Sequence, residues 1–191
     1  MKTLLLAFTT IVLFQVQLVL ATSPDKPVSG VVNPLYIAWK GQEKGRTVTY
    51  NRTLTISGGA PPGSAYTYPS ALMKFTLSNF SAEQATIKVT TPDFKLNPQT
   101  FVIPAKLMPD DPALPKFVGA EELKIGGKTY GCTKYSYSTT SNAQIAFVTY
   151  GIPGDVTVWL SKGVPGGIVQ REISVTIKAS YDIIDTLAPK Q

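Results

Sequence analysis

The sequence predicts an all-β protein, an antiparallel meander that forms a curved sheet, a half-barrel or a sandwich after an N-terminal signal segment. Two patterns and the composition lead to this prediction. Apolar residues from Pro34 onward recur with period two, and no window shows the stripe of an amphipathic helix. Fifteen glycines and 15 prolines interrupt these runs at short intervals. With 43% hydrophobic and 16% charged residues, the composition is that of a globular domain rather than a disordered chain.

The first 21 residues have the charge and hydropathy pattern of an export signal. Lys2 is followed by an apolar stretch from Leu4 to Ala21, and Val19 and Ala21 occupy the small-residue positions before a cleavage site. We therefore predict cleavage after Ala21 and a single β domain over residues 22–191. The alternative is an uncleaved anchor, because an apolar run of about 18 residues approaches the length that spans a bilayer. Since no cysteine follows the signal, we expect an exported protein, periplasmic or extracellular, that is not lipid-anchored through cysteine.

The strands of the first half are predicted from alternation. The clearest covers residues 46–56, whose core face carries four apolar residues: Val48, Tyr50, Leu54 and Ile56. Threonines and Asn51 occupy its other face, which is therefore predicted to be exposed to solvent. Further strands are predicted at residues 73–78, 85–90 and 101–103.

The second half is predicted to begin after an irregular connection. Residues 104–120 contain four prolines and no period, so they form either a lobe boundary inside the domain or a long functional loop. The strands that follow have short connections and are therefore antiparallel neighbours. They are predicted at residues 121–125, 128–138, 143–150, 155–161, 168–178 and 180–187.

Three turns are predicted from glycine and proline chemistry. Gly126 and Gly127 form a two-residue hairpin loop, in which both residues have positive φ. Residues 152–155 (IPGD) and 164–167 (VPGG) each place proline second and glycine third. This is the order of a type II turn, because proline fixes φ near −65° and glycine accepts the positive φ that follows.

Two segments break the simple alternation and supply the candidate binding residues. On the strand around Gly131, Tyr135 and Tyr137 lie opposite Cys132, which indicates a bulge near Gly131 or a strand with both faces partly covered. Trp159 lies opposite an apolar face, which implies a second surface that is buried or faces a ligand. Trp159, Tyr135 and Tyr137 are therefore predicted to contact a ligand, the alternative being ordinary sheet core. The wider aromatic set also includes Tyr66, Tyr68, Tyr130 and Tyr150.

Catalytic and metal chemistry are restricted by the absence of histidine and the presence of one cysteine. Without histidine there is no Ser-His-Asp or Cys-His nucleophile system and no imidazole metal site. Cys132 alone supplies neither a zinc finger nor an iron–sulfur cluster, so it is predicted to be a buried apolar residue. We predict no cofactor and no metal.

A pair of carboxylates is the one hydrolytic arrangement that this composition still permits. The candidates are Asp110-Asp111, Glu121-Glu122 and Asp182 with Asp185. Adjacent residues on a strand point to opposite faces, and aspartates in a proline-rich loop are typical of Asx turns. The sequence therefore predicts that the protein is not an enzyme.

The surface charges do not form a path for nucleic acid. The chain has a formal net charge of +6, of which Lys2 contributes one, and its basic residues are scattered singly without interleaved aromatic residues. We therefore predict no nucleic-acid partner.

Two tripeptides match the acceptor pattern for N-glycosylation. They begin at Asn51 (NRT) and Asn79 (NFS). Asn51 lies on the polar face of the clearest strand, where a glycan would meet no packing obstacle.

Four short pieces of the sequence resemble an uncharacterised group of exported β-rich proteins of bacteria and archaea. They are Ile103-Pro104-Ala105, the run from Glu121 to Lys128 leading to Cys132, Trp159-Leu160-Ser161, and the run from Val164 to Val169. More distantly, the strand of Trp159 with its turn and return strand looks like the antiparallel half-barrels of periplasmic lipoprotein carriers and sigma-factor regulators. That resemblance implies a curved sheet whose apolar concave face accepts acyl chains.

Two functional hypotheses follow from these features. The first is a non-enzymatic exported protein that binds a lipid, or another apolar or amphipathic ligand of the cell envelope, on a curved sheet around Trp159. The alternative is a structural or adhesive cell-surface subunit that associates through sheet edges. Its basis is the threonine-rich strand at residues 46–56, which carries few charges to prevent edge pairing.

Overall fold

The computed structural model describes residues 30–58, 65–92, 98–145, 148–176 and 180–189. The signal segment and its cleavage position lie outside these residues. The described strands are β1 (Val31–Val32), β2 (Thr47–Ser57), β3 (Ala65–Thr67), β4 (Ala71–Phe80), β5 (Gln84–Thr90), β6 (Gln99–Pro104), β7 (Lys106–Leu107), β8 (Lys116–Ile125), β9 (Lys128–Ile145), β10 (Val148–Leu160), β11 (Ile168–Thr176) and β12 (Ser180–Leu187). One short helix, α1 (Pro34–Ile37), precedes β2. The prediction of an all-β protein is confirmed.

One antiparallel sheet of ten strands dominates the fold and does not close into a barrel within the described residues. Its order is β6-β5-β4-β2-β12-β11-β10-β9-β8, and β3 pairs with the last residues of β2. The chain starts in the middle of this sheet, runs outward from β2 to β6, crosses to the opposite edge at β8 and returns as a meander. The last strand, β12, consequently pairs with β2. A separate pair of short strands joins β1 to β7.

The segment predicted to be irregular, residues 104–120, carries the chain from one edge of the sheet to the other. Its aspartate loop contains an Asx turn, since the Ala113 N–H donates to Oδ1 of Asp111 at 2.8 Å. The prediction is wrong for residues 104, 106–107 and 116–120, which belong to β6, β7 and β8. Residues 116–120 form strand because the strand predicted at residues 128–138 continues past the partner of Glu121 and pairs with them as far as Lys116, which lies opposite Ser136. A register shift between Phe117 and Gly119 accommodates this pairing.

The sheet is strongly curved, with the core on its concave side. The guanidinium of Arg171 on β11 lies 5.2 Å from the ring centroid of Phe75 on β4. Two strands, β12 and β2, stand between them, so a flat sheet would hold their strands about 14 Å apart. Tyr50 on β2 likewise reaches past β12 and donates its hydroxyl to the carbonyl of Ile168 at 3.2 Å.

The type II turn predicted at residues 152–155 is wrong. Strand β10 runs through it without interruption, with Pro153 opposite Thr140 and Gly154 opposite Thr139 on β9. Gly154 is not among the glycines with positive φ. A Cβ atom at Gly154 would lie 2.8 Å from Cγ2 of Val175, so glycine serves the close approach of β11 rather than a turn. The strand predicted at residues 143–150 is accordingly divided between β9 and β10.

The two other predicted turns are confirmed. Gly126 and Gly127 have φ of 56° and 79°, as a two-residue hairpin loop requires. Gly166 has φ of 69°, and the Gly167 N–H donates to the Val164 carbonyl at 2.8 Å, which closes the turn between β10 and β11.

The short helix α1 was missed because four residues are too few to show a helical period. Asn33 caps it by accepting a hydrogen bond from the Leu35 N–H at 3.0 Å, and Pro34 stands at its first position. Tyr36 of α1 and Trp39 just after it enter the core. Trp39 is 2% exposed, and an added Cβ at Gly166 would lie 2.5 Å from its ring.

Candidate functional site

A groove of about 770 Å³ is lined by residues of β2 and β4 that include Thr49 and Lys74, and it borders the core at Val48 and Val164. Its other walls are the tip of the β8–β9 hairpin, the turn at residues 163–165 and the segment 187–189. Three cationic side chains line it: Arg46, Lys74 and Lys128. Apolar lining comes from Leu72, Ile125, Tyr130, Val164, Leu187 and Pro189. We call it the basic groove, because the described residues that line it include these three cations and no aspartate or glutamate.

The β8–β9 hairpin forms one wall of the basic groove. Ile125 and Lys128 are directly opposite each other across the Gly126-Gly127 loop. A Cβ atom at Gly126 would lie 3.1 Å from Cγ of Pro189, so the tip of the hairpin touches the segment that follows β12. The two glycines thus allow a tight reversal that brings this wall against the far end of the chain.

The cations of the basic groove have no acidic partner in the described structure. The ion pairs among the described residues are Arg52–Asp185, Lys134–Glu121 and Arg171–Asp185, and none of them lies in the groove lining. Lys128 instead places Nζ 4.9 Å from the centroid of the Tyr130 ring, which holds its charge against the groove wall. A concave surface lined by charges of one sign raises the local concentration of the opposite ion.

Trp159 is buried in the core and is not among the residues that line the basic groove. Its side chain is 5% exposed, and its indole N–H donates to the carboxylate of Glu121. Lys134 places Nζ 4.8 Å from the indole ring and 3.5 Å from Glu121. The hydrogen bond from Trp159, with the nearby Lys134 charge, lowers the pKa of Glu121. The second surface predicted behind Trp159 is therefore covered by this Glu121–Lys134 cap.

Tyr135 and Tyr137 lie on the opposite face of the sheet from Trp159. Tyr135 is directly across from Val158, and Lys134 is across from Trp159, so the tyrosines and the tryptophan point in opposite directions. Burial raises the pKa of Tyr137, although Arg171 opposes the shift. The structure does not bring the three predicted residues together, and their contact with a ligand stays a prediction. Of the wider aromatic set, Tyr130 lines the basic groove.

A buried ionic triad on the core face was missed by the sequence reading. Asp185 on β12 lies directly between Arg52 on β2 and Arg171 on β11. Its Oδ1 accepts from Nε of Arg52 at 2.6 Å, and its Oδ2 accepts from Nη2 of Arg52 at 2.9 Å and from Nη2 of Arg171 at 2.5 Å. Burial would raise the pKa of Asp185, but the two guanidinium groups outweigh it and hold the pKa well below its ordinary value.

The signal for the triad was present in the sequence. Each member is a charged residue at a position where the alternation of its strand predicts an apolar, core-facing side chain. Arg52, for example, lies between Tyr50 and Leu54 on the core face of β2. The carboxylate pair considered from the sequence does not form, because Asp182 accepts a hydrogen bond from Ser174 Oγ at 2.7 Å while Asp185 faces the core. Among the described residues no group of three histidine, cysteine or acidic side chains is arranged to hold a metal ion.

Cys132 is buried, as predicted. Its thiol donates to the Tyr130 carbonyl at 3.4 Å, and burial raises its pKa. The two glycosylation candidates differ in environment: Asn79 is exposed at a bulge of β4, whereas Asn51 is half-buried between its neighbours Leu72 and Thr186. Their use stays a prediction.

Compared with protein-family models and with curated proteins, the sequence matches no family model and no curated protein. Within the part of the chain that the structure describes, no helix has the length and hydropathy needed to cross a membrane.

Proposed function

We propose that the protein is a non-enzymatic exported binding protein that holds an anionic amphiphile in the basic groove. The observation that carries this proposal is the meeting of three cations, none of them ion-paired within the described residues, with an apolar lining in one groove. The groove has the volume of sites that bind small molecules, about 300–1,000 Å³.

The two kinds of lining favour different parts of one ligand. An acyl chain against Leu72, Ile125 and Leu187 gains about 0.8 kcal/mol for each methylene group that leaves water. An anionic head group gains charge-assisted hydrogen bonds from lysine and arginine donors. A purely apolar ligand would form no ionic contact with the three cations. A small polar anion would leave the apolar side chains of the lining exposed to water.

This location differs from the concave face that the resemblance to half-barrel carriers implies. Next to Gly166 the concave side is filled by Trp39, and Tyr36 stacks on Phe80 with ring centroids 4.7 Å apart. Thr49 and Lys74 of the basic groove lie on the other face of β2 and β4, whereas Ile125, Tyr130 and Leu187 pack against the core. The groove therefore supports binding of an amphiphile where outward-facing polar residues meet the border of the core.

The proposal is tested by calorimetric titration of delipidated mature protein with saturated fatty acids of increasing length, each below its micelle concentration. We expect the affinity to rise about fourfold per added methylene until the groove is filled. Ile125→Ala should weaken binding at every chain length. Ile37→Ala is the matched control, because Ile37 is exposed and does not line the groove. Absence of binding, or equal losses in the two variants, would refute the groove assignment.

A second candidate function is association through a sheet edge. The strand that suggested it, residues 46–56, corresponds to β2, which pairs with β12 on one side and with β4 and β3 on the other. It is therefore not an edge. The end strand β8 instead exposes 68% of Phe117 and 54% of Val118. If this edge associates, Phe117→Lys should lower the mass measured by light scattering at high concentration, whereas a monomer at all concentrations would rule the idea out.

A further inference from the structure

We propose that the head group bound in the basic groove is a phosphate monoester carried on a single acyl chain, rather than a fatty-acid carboxylate. This inference rests on the proposed function and names the ligand class of the same site. It is drawn from the number of positive charges that line the groove and from the kinds of hydrogen-bond donor that they supply.

The charge count favours a dianion. Arg46, Lys74 and Lys128 contribute three positive charges, and no acidic side chain is among the described residues of the lining. A carboxylate would neutralise one of these charges. A phosphate monoester carries a charge of about −1.5 to −2 at pH 7 and offers three acceptor oxygens. It therefore matches more of the groove's donors and leaves less positive charge uncompensated.

The donors also suit a phosphate in kind. The guanidinium of Arg46, which lines the groove, can offer two parallel hydrogen bonds to phosphate oxygens. Thr49 lies directly opposite Lys74 on the same face and also lines the groove, which adds a hydroxyl donor to the three cations.

The test compares four compounds on delipidated mature protein by calorimetric titration. They are a lysophosphatidic acid, the fatty acid with the same acyl chain, the corresponding lysophosphatidylcholine, and inorganic phosphate. We expect the lysophosphatidic acid to bind at least about tenfold more tightly than the fatty acid, because each additional charged hydrogen bond is worth about that factor. Lysophosphatidylcholine should bind more weakly than lysophosphatidic acid, because its phosphate is a monoanion beside a cationic group.

Variants tie the preference to the groove. Lys74→Gln and Lys128→Gln should each weaken lysophosphatidic acid binding about tenfold and reduce its advantage over the fatty acid. Lys88→Gln is the matched control, because Lys88 is an exposed lysine of β5 outside the groove. The melting temperature of each variant without ligand identifies any that has lost its fold.

The outcomes separate this inference from the proposed function. Equal affinity for lysophosphatidic acid and fatty acid, both weakened by Ile125→Ala, would overturn the phosphate head group and leave the amphiphile site standing. Inorganic phosphate binding as tightly as the lipid would overturn the acyl chain and assign the groove to free phosphate. No binding of any of the four compounds would overturn both proposals.

Discussion

Replacing Gly166 tests the turn between β10 and β11 together with the packing of Trp39. The positive φ of 69° at Gly166 is a conformation that costs a residue with a side chain about 1–2 kcal/mol. A Cβ atom there would lie 2.5 Å from Cζ2 of Trp39, and overpacking of a core costs about 1–3 kcal/mol. Because one cost is intrinsic to the backbone and the other arises from a contact, they add. Gly166→Ala should lower the free energy of unfolding by about 2–5 kcal/mol. Valine should reach the upper end of that range, because it is branched at Cβ.

The loss is measured by urea unfolding of the purified protein, followed by tryptophan fluorescence. Trp39 and Trp159 are both buried, so unfolding changes their surroundings. With a dependence on urea of about 2 kcal/mol per molar, the midpoint for Gly166→Ala should fall by about 1–2.5 M. Gly127→Ala is the matched control, since Gly127 has φ of 79° and an added Cβ there would meet nothing within 4 Å. It should lose only the backbone part, about 1–2 kcal/mol.

Two results would refute this reasoning. An unchanged midpoint for Gly166→Val would mean that Gly166 has an ordinary backbone conformation and that the turn joining β10 to β11 is wrong. Equal losses for Gly166→Ala and Gly127→Ala would mean that the contact with Trp39 adds no cost.

Three further predictions concern the ionic triad, the glycine inside β10 and the thiol. Asp185, with its depressed pKa, contributes stability above the pKa of about 4 of an unfolded aspartate and loses it as pH falls through the folded-state pKa. Asp185→Asn should lower the free energy of unfolding by about 3–5 kcal/mol at pH 7. The urea midpoints of this variant and of the unmodified protein should converge as the pH falls below 4, and parallel pH profiles of the two midpoints would contradict the role of the triad. Gly154→Ala should lower the free energy of unfolding in urea by about 1–3 kcal/mol, because the added Cβ would contact Val175. An unchanged free energy would mean that β11 moves away from the added atom without loss of stability. Cys132 should react with a thiol reagent far more slowly in the native protein than in urea, because it is buried and its pKa is raised; equal rates would show that it is accessible.

The strands and two of the three turns were predictable because their signals are local. Alternation over six to ten residues places a strand, and a glycine with positive φ is a property of one position. The same logic failed at Pro153-Gly154, which has the sequence of a type II turn and lies inside β10. The function of Gly154 there depends on how closely β11 approaches, which no residue near it in the sequence reveals.

The candidate site was less accessible to sequence reading than the fold. Arg46, Lys74 and Lys128 stand singly in the chain, and their scattering argued against any basic patch. They meet because β2 pairs with β4 and because the β8–β9 hairpin bends back toward the segment after β12. Strand alternation, in contrast, predicts that Trp159 points away from the apolar face of its strand. The contacts of Trp159 with Glu121 and Lys134, which cover its ring, could not be deduced from spacing.

By itself the sequence determined that this protein is an antiparallel β meander with hairpin turns at residues 126–127 and 164–167. It did so because period-two hydropathy and turn chemistry act over a few residues. Only the tertiary structure decided that β12 pairs with β2, that Asp185 is clasped by Arg52 and Arg171, and that the basic groove exists. Each of these joins residues that are far apart in the chain, and such contacts are selected by the curvature and packing of the whole sheet rather than by any local preference.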